Sequence, residues 1–140
     1  LIEYYNLETS GKKALVIGRS RLVGMPQVIM FGSKGIDCTV TLAHSRTKNL
    51  DDLISESEIV VPAIGVPGII NSKNVKKGAI LLDVGISSDD KGIHGDVDFD
   101  SVDGIAKAVT PMPGGTGPMT VACLLENTMK AAELQGIISS

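Results

Sequence analysis

The sequence has no tryptophan, only two tyrosines and two phenylalanines, and a formal net charge of -3. Proteins bind nucleic acids with positive patches and aromatic stacking surfaces, so this composition argues against a nucleic-acid partner. No run of about twenty apolar residues occurs, and the opening LIEYYNLETSGKK lacks the layout of a secretory signal. We therefore expect a soluble, cytoplasmic protein with no membrane partner.

Cysteine is scarce as well. Cys38 and Cys123 lie far apart and outside any CxxC pattern, which favours two reduced thiols over a disulfide or a metal pair. We expect no metal site. The chain has 140 residues, of which 43% are hydrophobic, enough to fill the core of one domain. The sixteen glycines fall mostly at the ends of apolar runs, where turns are expected.

Apolar runs alternate along the chain with segments of helical spacing. The runs are apolar throughout, which is typical of parallel strands covered on both faces. We predict an α/β fold with a Rossmann-type, doubly wound, mostly parallel sheet in a single domain spanning residues 1–140. The predicted strands are residues 13–17, 38–43, 58–63, 79–84 and 105–110, and the predicted helices are residues 25–34, 50–56 and 119–134. An excursion or small hairpin is expected over residues 91–97, and residues 1–6 are expected to end an earlier helix.

The segment GRSRLVGMP, residues 18–26, follows a predicted strand and opens a helix. Doubly wound folds place a pyrophosphate at this point, against open backbone N–H groups. The segment departs from GxGxxG, because Ser20 and Val23 stand at the second and third glycines and Gly24 is displaced by one. A phosphate loop is the interpretation that we favour over an ordinary strand-to-helix turn.

The second predicted strand ends in HSRT, residues 44–47. An NAD-binding fold usually has an acidic residue here for the ribose hydroxyls, and this chain has none. Ser45 and Arg46, with Arg19 from the first loop, would instead attract the 2′-phosphate of NADP. The alternatives are a solvated Arg46 and a Ser45 that caps the next segment. His44 could equally be a structural histidine, and we assign it no chemistry.

Small residues also follow the third and fourth predicted strands. AIGVPG begins at Ala63, and DVGI spans residues 83–86. Such residues would let a cofactor lie close to the backbone, although ordinary tight turns need glycine too. For Asp83 we favour bonds to neighbouring backbone N–H groups over a role as a general base. TPMPGGTGPMT, residues 110–120, has a shape fixed by proline and glycine, which suits a ligand-binding loop or a structural connector.

Taken together, these segments resemble the bifunctional methylenetetrahydrofolate dehydrogenase/cyclohydrolase family, in its NADP-binding domain. Five motifs carry the resemblance, in order and across nearly the whole chain: GRSRLVGMP, HSRT, DVGI, GDV at residues 95–97, and TPMPGGTGPMT. The family's catalytic lysine belongs to a Tyr-x-x-x-Lys segment of another, N-terminal domain. Neither Tyr4 nor Tyr5 has a lysine four residues later. We therefore expect no catalytic residue in this chain, and little or no turnover by it alone.

The resemblance implies NADP as cofactor and methylene-tetrahydrofolate as the substrate of the whole enzyme, in one-carbon metabolism and purine biosynthesis. It also implies that the last helix packs against the absent domain. A homodimer is expected, although the sequence does not specify the oligomer. The candidate cofactor-binding residues are Gly18, Arg19, Ser20, Val23, Gly24, Pro26, His44, Ser45, Thr47, Ala63, Gly65, Val84, Gly85 and Ile86, and the candidate substrate-cleft residues are Gly114, Gly115, Thr116, Gly117 and Pro118.

Two alternatives remain open at the level of sequence. One is another NADP oxidoreductase of similar fold, because fold alone does not decide the reaction; the PGGTGPMT segment argues against it. The other is a nucleotide-binding module without catalysis, which the absence of the catalytic segment keeps open.

Overall fold

A parallel sheet forms the centre of the computed structural model, which describes residues 1–90 and 92–137. Within these residues the sheet has five strands, and every neighbouring pair is parallel. Strand β1 is Lys13–Ile17, β2 is Thr39–Ala43, β3 is Ile59–Pro62, β4 is Ile80–Leu81, and β7 is Ala108–Val109; the hairpin strands β5, Ser87–Asp89, and β6, Gly92–His94, pair with each other.

The strand order is β2-β1-β3-β4-β7. The chain moves from β1 to one side to form β2 and then crosses to the other side of β1 to form β3. This reversal is the topological switch point, beside which open α/β sheets bind their ligands. The predicted doubly wound parallel sheet is confirmed, and the carboxyl ends of β1 and β3 mark the expected place of a site.

Helices cover both faces of the sheet. Helix α1 is Gly24–Gly32, α2 is Leu50–Glu56, α3 is Phe99–Val102, and α4 is Thr116–Leu134. The range of α2 agrees with the prediction, α1 starts one residue earlier than predicted and ends two earlier, and α3 was not predicted. Helix α4 was wrongly placed at its start, since it begins three residues before Met119.

Side chains along β1 alternate between two cores. Leu15 and Ile17 pack on one face with Ile54 of α2, and Val16 packs on the other face with Phe31 of α1. Four of these five side chains are at most 1% exposed, and Phe31 is 5% exposed. Burial of each such side chain contributes about 1.5–3 kcal/mol, so the two cores fix the position of the strand ends.

Strands β3, β4 and β7 are shorter than predicted, yet their backbone pairing continues beyond them. The N–H of Leu82 donates to the Val60 carbonyl at 2.9 Å, and that of Val84 to the Pro62 carbonyl at 3.0 Å. The N–H of Thr110 donates to the Leu81 carbonyl at 3.0 Å. The sheet edge that carries the predicted motifs is therefore tied to the strands up to Val84 and Thr110.

An excursion or small hairpin was predicted over residues 91–97, but only β6 lies in that range and β5 precedes it. Lys91 lies outside the described residues. Strands β5 and β6 pair at three positions and run antiparallel. His94 Nε2 lies 2.9 Å from Asp89 Oδ1, so the side chains also join the two strands. The hairpin returns the chain to the sheet edge just before Asp96.

Residues 1–7 have the geometry of a helix C-terminus. Asn6 has a φ of 49°. Its N–H donates to the Glu3 carbonyl, while that of Leu7 donates to the Ile2 carbonyl. This pair of bonds is the Schellman arrangement that ends helices. That residues 1–6 end a helix of a preceding domain stays a prediction.

Helix α4 stands apart from the two cores. None of its residues is buried, and Leu124, Leu125 and Met129 are 59–65% exposed. The apolar side chains predicted for its packing face therefore lie open in this chain. No helix among the described residues is long and apolar enough to cross a membrane.

Candidate cofactor-binding site

Gly18 lies where the chain leaves β1, and no other residue fits there. Its φ is 121°, and a Cβ at this position would lie 2.6 Å from the carbonyl oxygen of Ala63. A Cβ on Gly24 would lie 1.9 Å from the carbonyl oxygen of Gly18. The first loop, residues 18–23, joins β1 to α1. Gly18 and Gly24 thus allow the start of α1, the end of β1 and the end of β3 to lie in contact.

Ser20 shapes the same loop from within. Its Oγ accepts hydrogen bonds from the N–H groups of Val23 and Gly24 at 3.0 and 3.4 Å. Both bonds use lone pairs, so the hydroxyl hydrogen stays available to a ligand. The N–H groups of residues 19–22 donate to no acceptor among the described residues, and all four residues are exposed. An anion would find open donors here, beside the start of α1.

The turn over residues 44–47 closes at the end of β2. The N–H of His44 donates to Thr47 Oγ1 at 2.9 Å, and the N–H of Thr47 donates to the His44 carbonyl at 2.8 Å. The N–H of Arg46 donates to His44 Nδ1 at 3.2 Å. His44 and Thr47 therefore hold the turn, while Ser45 and Arg46 are exposed and can reach a ligand.

Asp83 is a buried carboxylate at the end of β4, only 1% exposed. It accepts hydrogen bonds from the backbone N–H groups of Gly85, Asp96 and Val97 at 2.9–3.1 Å. The predicted structural role of Asp83 is confirmed. Burial raises the pKa of Asp83 above its usual value, the three backbone bonds act to lower it, and the neighbouring charge of Asp96 raises it.

Asp96 is a second buried carboxylate, and sequence reasoning did not identify its role. It accepts hydrogen bonds from the N–H groups of Ile64, Gly65 and Val66 at 2.8, 3.2 and 2.6 Å. The loop after β3 is therefore fastened to a residue that follows the hairpin. The sequence marks GDV only as a motif, because it gives no signal for a partner thirty residues away in the chain.

Glycines let the two carboxylates fit. A Cβ on Gly85 would lie 2.0 Å from Asp96 Cγ, and a Cβ on Gly95 would lie 2.1 Å from Asp83 Oδ2. Each aspartate thus fills the space beside a glycine of the other segment. Gly85 was predicted as a cofactor contact, and the side on which its Cβ would stand faces Asp96.

The TPMPGGTGPMT segment is anchored to the backbone of Asp83. Thr110 Oγ1 accepts from the Asp83 N–H, and Thr116 Oγ1 donates to the Asp83 carbonyl, both at 2.8 Å. Gly115 is buried, and a Cβ there would lie 2.3 Å from the carbonyl oxygen of Pro111. Thr116, Gly117 and Pro118 form the first turn of α4, so the candidate cleft residues are partly helical rather than all in a loop.

A cavity of about 390 Å³ opens beside this segment. Its lining includes Asp83, Thr110 and Met112, together with His94 and Phe99. Residues 114–118 do not line this cavity. Their place in a substrate cleft stays a prediction.

The remaining candidates lie along the same carboxyl edge. A Cβ on Gly65 would lie 3.0 Å from the carbonyl oxygen of Ile86, so the loops after β3 and β4 are neighbours. Ile86 is 67% exposed, whereas Val84 packs against the core on the α1 face. Pro26 is half-buried in the first turn of α1.

At the switch point of the parallel sheet, the N–H groups of residues 19–22 donate to no acceptor among the described residues, and the exposed Arg46 follows the neighbouring strand β2. This arrangement is typical of a dinucleotide-binding domain. The family described as tetrahydrofolate dehydrogenase/cyclohydrolase, NAD(P)-binding domain, matches residues 1–136. The chain belongs to this family. The expected NAD(P)-binding domain of the expected family is thereby confirmed.

Relatives and solved structures agree with this assignment. The bifunctional protein FolD of Lactococcus lactis subsp. cremoris is 53% identical over 131 residues, which are 91% of this chain and 45% of that protein. A 5,10-methylenetetrahydrofolate dehydrogenase structure from the silkworm Bombyx mori matches with a TM-score of 0.92 and 42% identity, covering 98% of this chain and 50% of that one.

A third similarity concerns an enzyme with a ligand. The Trypanosoma brucei methylenetetrahydrofolate dehydrogenase-cyclohydrolase, solved with NADP cofactor and an inhibitor, matches with a TM-score of 0.83 and 37% identity. It covers 91% of this chain and 46% of that one. The chain thus spans about half the length of the relatives that it matches.

Proposed function

We propose that this chain binds NADP across the carboxyl edge of its sheet, as the cofactor domain of a methylenetetrahydrofolate dehydrogenase/cyclohydrolase. The observation that carries the proposal is the first loop, where the N–H groups of residues 19–22 have no acceptor among residues 1–90 and 92–137 and lie beside the start of α1. These donors, with the hydroxyl of Ser20, hold the pyrophosphate. Family membership and the NADP bound to the T. brucei relative support the same cofactor.

The 2′-phosphate is bound by Arg19, Ser45 and Arg46. Ser45 and Arg46 project from a turn whose own hydrogen bonds are satisfied by His44 and Thr47. Arginine suits this task because its planar group can donate two bonds to one phosphate. The chain is therefore proposed to prefer NADP over NAD.

For the whole protein we propose oxidation of methylene-tetrahydrofolate followed by hydrolysis of the methenyl product to the formyl form. NADP, when bound, accepts the hydride. This chain positions the cofactor. The folate is bordered by Gly114, Gly115, Thr116, Gly117 and Pro118. The catalytic groups are proposed to lie in another domain, against which α4 and the helix end at residues 1–6 pack. The exposed apolar side chains of α4 support that packing.

We further propose that the protein works in the cytoplasm as a homodimer, in the one-carbon metabolism that serves purine synthesis. Leu22, Ile29 and Met30, on and before α1, are 61–90% exposed, which supports a protein contact on that side.

The test of cofactor binding is a calorimetric titration of the chain with NADP and with NAD. We expect tighter binding of NADP, because only NADP offers the 2′-phosphate to the arginines. Arg19→Ala removes a charge-assisted bond worth about 1.5–3 kcal/mol, so NADP affinity is expected to fall about 10- to 100-fold.

Lys34→Ala is the matched control, since Lys34 is an exposed cation beyond the other end of α1. Its NADP affinity is expected to equal that of the unmodified chain. Binding of neither nucleotide, or equal losses in the two variants, would contradict the proposed site.

A further inference from the structure

The loop after β3 directs its backbone donors inward. The N–H groups of Ile64, Gly65 and Val66 all donate to the carboxylate of Asp96, which is 0% exposed. In contrast, the carbonyl groups of Ala63, Ile64 and Gly65 accept no hydrogen bond from any described residue. The loop therefore presents acceptors and keeps its donors occupied.

The first loop has the opposite polarity. There, the N–H groups of residues 19–22 donate to no acceptor in the described part of the chain. A phosphate carries acceptors and a negative charge, so it fits the first loop and is repelled by the buried charge of Asp96 beneath the other. A hydroxyl or amide hydrogen fits the carbonyl groups of residues 63–65.

We propose that Asp96 is a positioning residue that makes the β3 loop the subsite for the uncharged hydrogen-bond donors of the cofactor, its ribose hydroxyls or amide groups. This inference rests on the proposed function and deepens it. Asp96 does not touch the cofactor; it acts by holding residues 64–66. Asp83 in turn places Asp96, because it accepts the N–H groups of Asp96 and Val97.

The substitution Asp96→Asn tests the proposal. Asparagine keeps one acceptor oxygen and puts an amide donor where the other was, so at least one N–H of the loop loses its partner. We expect NADP affinity to fall about tenfold, the cost of leaving one such group unpaired. NAD affinity should fall by the same factor, because the 2′-phosphate, the only group that distinguishes the two cofactors, is proposed to bind Arg19, Ser45 and Arg46 and not the loop after β3.

Ile54→Val is the control for a general loss of stability. Ile54 is fully buried in α2, in a core cluster that includes none of residues 63–66. This variant should unfold more easily and bind both nucleotides as the unmodified chain does. Unchanged affinity in Asp96→Asn, or a changed ratio of NADP to NAD affinity, would overturn the proposal. Failure of the unmodified chain to bind either nucleotide would instead overturn the proposed function.

Amide hydrogen exchange gives a second readout that needs no variant. Without cofactor, the amides of residues 64–66 should exchange slowly and those of residues 19–22 quickly. NADP should slow only the second group, because the first is already bonded to Asp96. Fast exchange at residues 64–66 without cofactor, or new protection there with NADP, would refute the proposal that Asp96 holds these N–H groups.

Two fragments of the cofactor distinguish the sources of the donor. Adenosine 2′,5′-bisphosphate carries the adenosine ribose, and nicotinamide mononucleotide carries the other ribose and the carboxamide. Weaker binding of either fragment to Asp96→Asn supports the proposal and locates the donor. Equal binding of both fragments to the variant and the unmodified chain would overturn it.

Discussion

Gly85 leaves no space for even one carbon atom. A Cβ there would lie 2.0 Å from Asp96 Cγ and 2.2 and 2.3 Å from its two oxygens. The carboxylate cannot move aside cheaply, because three N–H groups hold it. Overpacking costs about 1–3 kcal/mol, and an unpaired buried group about as much again. We predict that Gly85→Ala lowers the free energy of unfolding by about 2–6 kcal/mol, a large part of the usual 5–15 kcal/mol.

Guanidinium unfolding followed by circular dichroism measures this change. The midpoint should fall by about 1 M, given the usual denaturant slope for a domain of this size. Gly32→Ala is the matched control, because a Cβ there would lie at an ordinary 3.8 Å from Val40 Cγ2. It should be neutral or stabilising by up to about 1 kcal/mol. A loss below about 0.5 kcal/mol in Gly85→Ala would refute the reasoning.

Two further predictions concern charge and exposure. In the folded state the pKa of Asp83 is raised above its usual value of 3.8. Protonation of Asp83 therefore stabilises the fold, and this stabilisation is complete below about pH 3.8 and is lost as the pH rises through the folded-state pKa. The free energy of unfolding, measured relative to Asp83→Asn, should therefore fall with rising pH over that interval; a rise would contradict the shift. Leu125→Ala should change the free energy of unfolding by less than about 0.5 kcal/mol, whereas Leu81→Ala should cost about 2–5 kcal/mol. Similar losses in these two variants would show that α4 packs against the domain.

The sequence was informative where the pattern is local. Buried parallel strands are apolar on both faces, so KALVI at residues 13–17 was placed correctly, and the glycines of the first loop follow from its tight geometry. The start of α4 was misplaced because Gly117 and Pro118 are poor helix formers in general. Proline is tolerated in a first turn, however, and Thr116 anchors that turn to Asp83.

Long-range pairing could not be predicted. DVGI and GDV were separate motifs in the sequence, but the hairpin brings them together and each aspartate occupies the space beside the other's glycine. Helix α3 was missed because its four residues are too few for a periodic pattern. Asp98 caps it by accepting from the N–H of Ser101, a signal common to many turns.

The length of α4 makes it a lever. Its 19 residues extend about 28 Å at 1.5 Å per residue, and none of them is buried. A change of about 10° in direction at Thr116 would move the far end by about 5 Å over this length. The same ratio works in reverse: whatever fixes the far end determines the angle at Thr116 closely. Thr116 is bonded to Asp83. A change in the angle of α4 therefore acts on the residue that holds Asp96 and, through Asp96, the loop after β3.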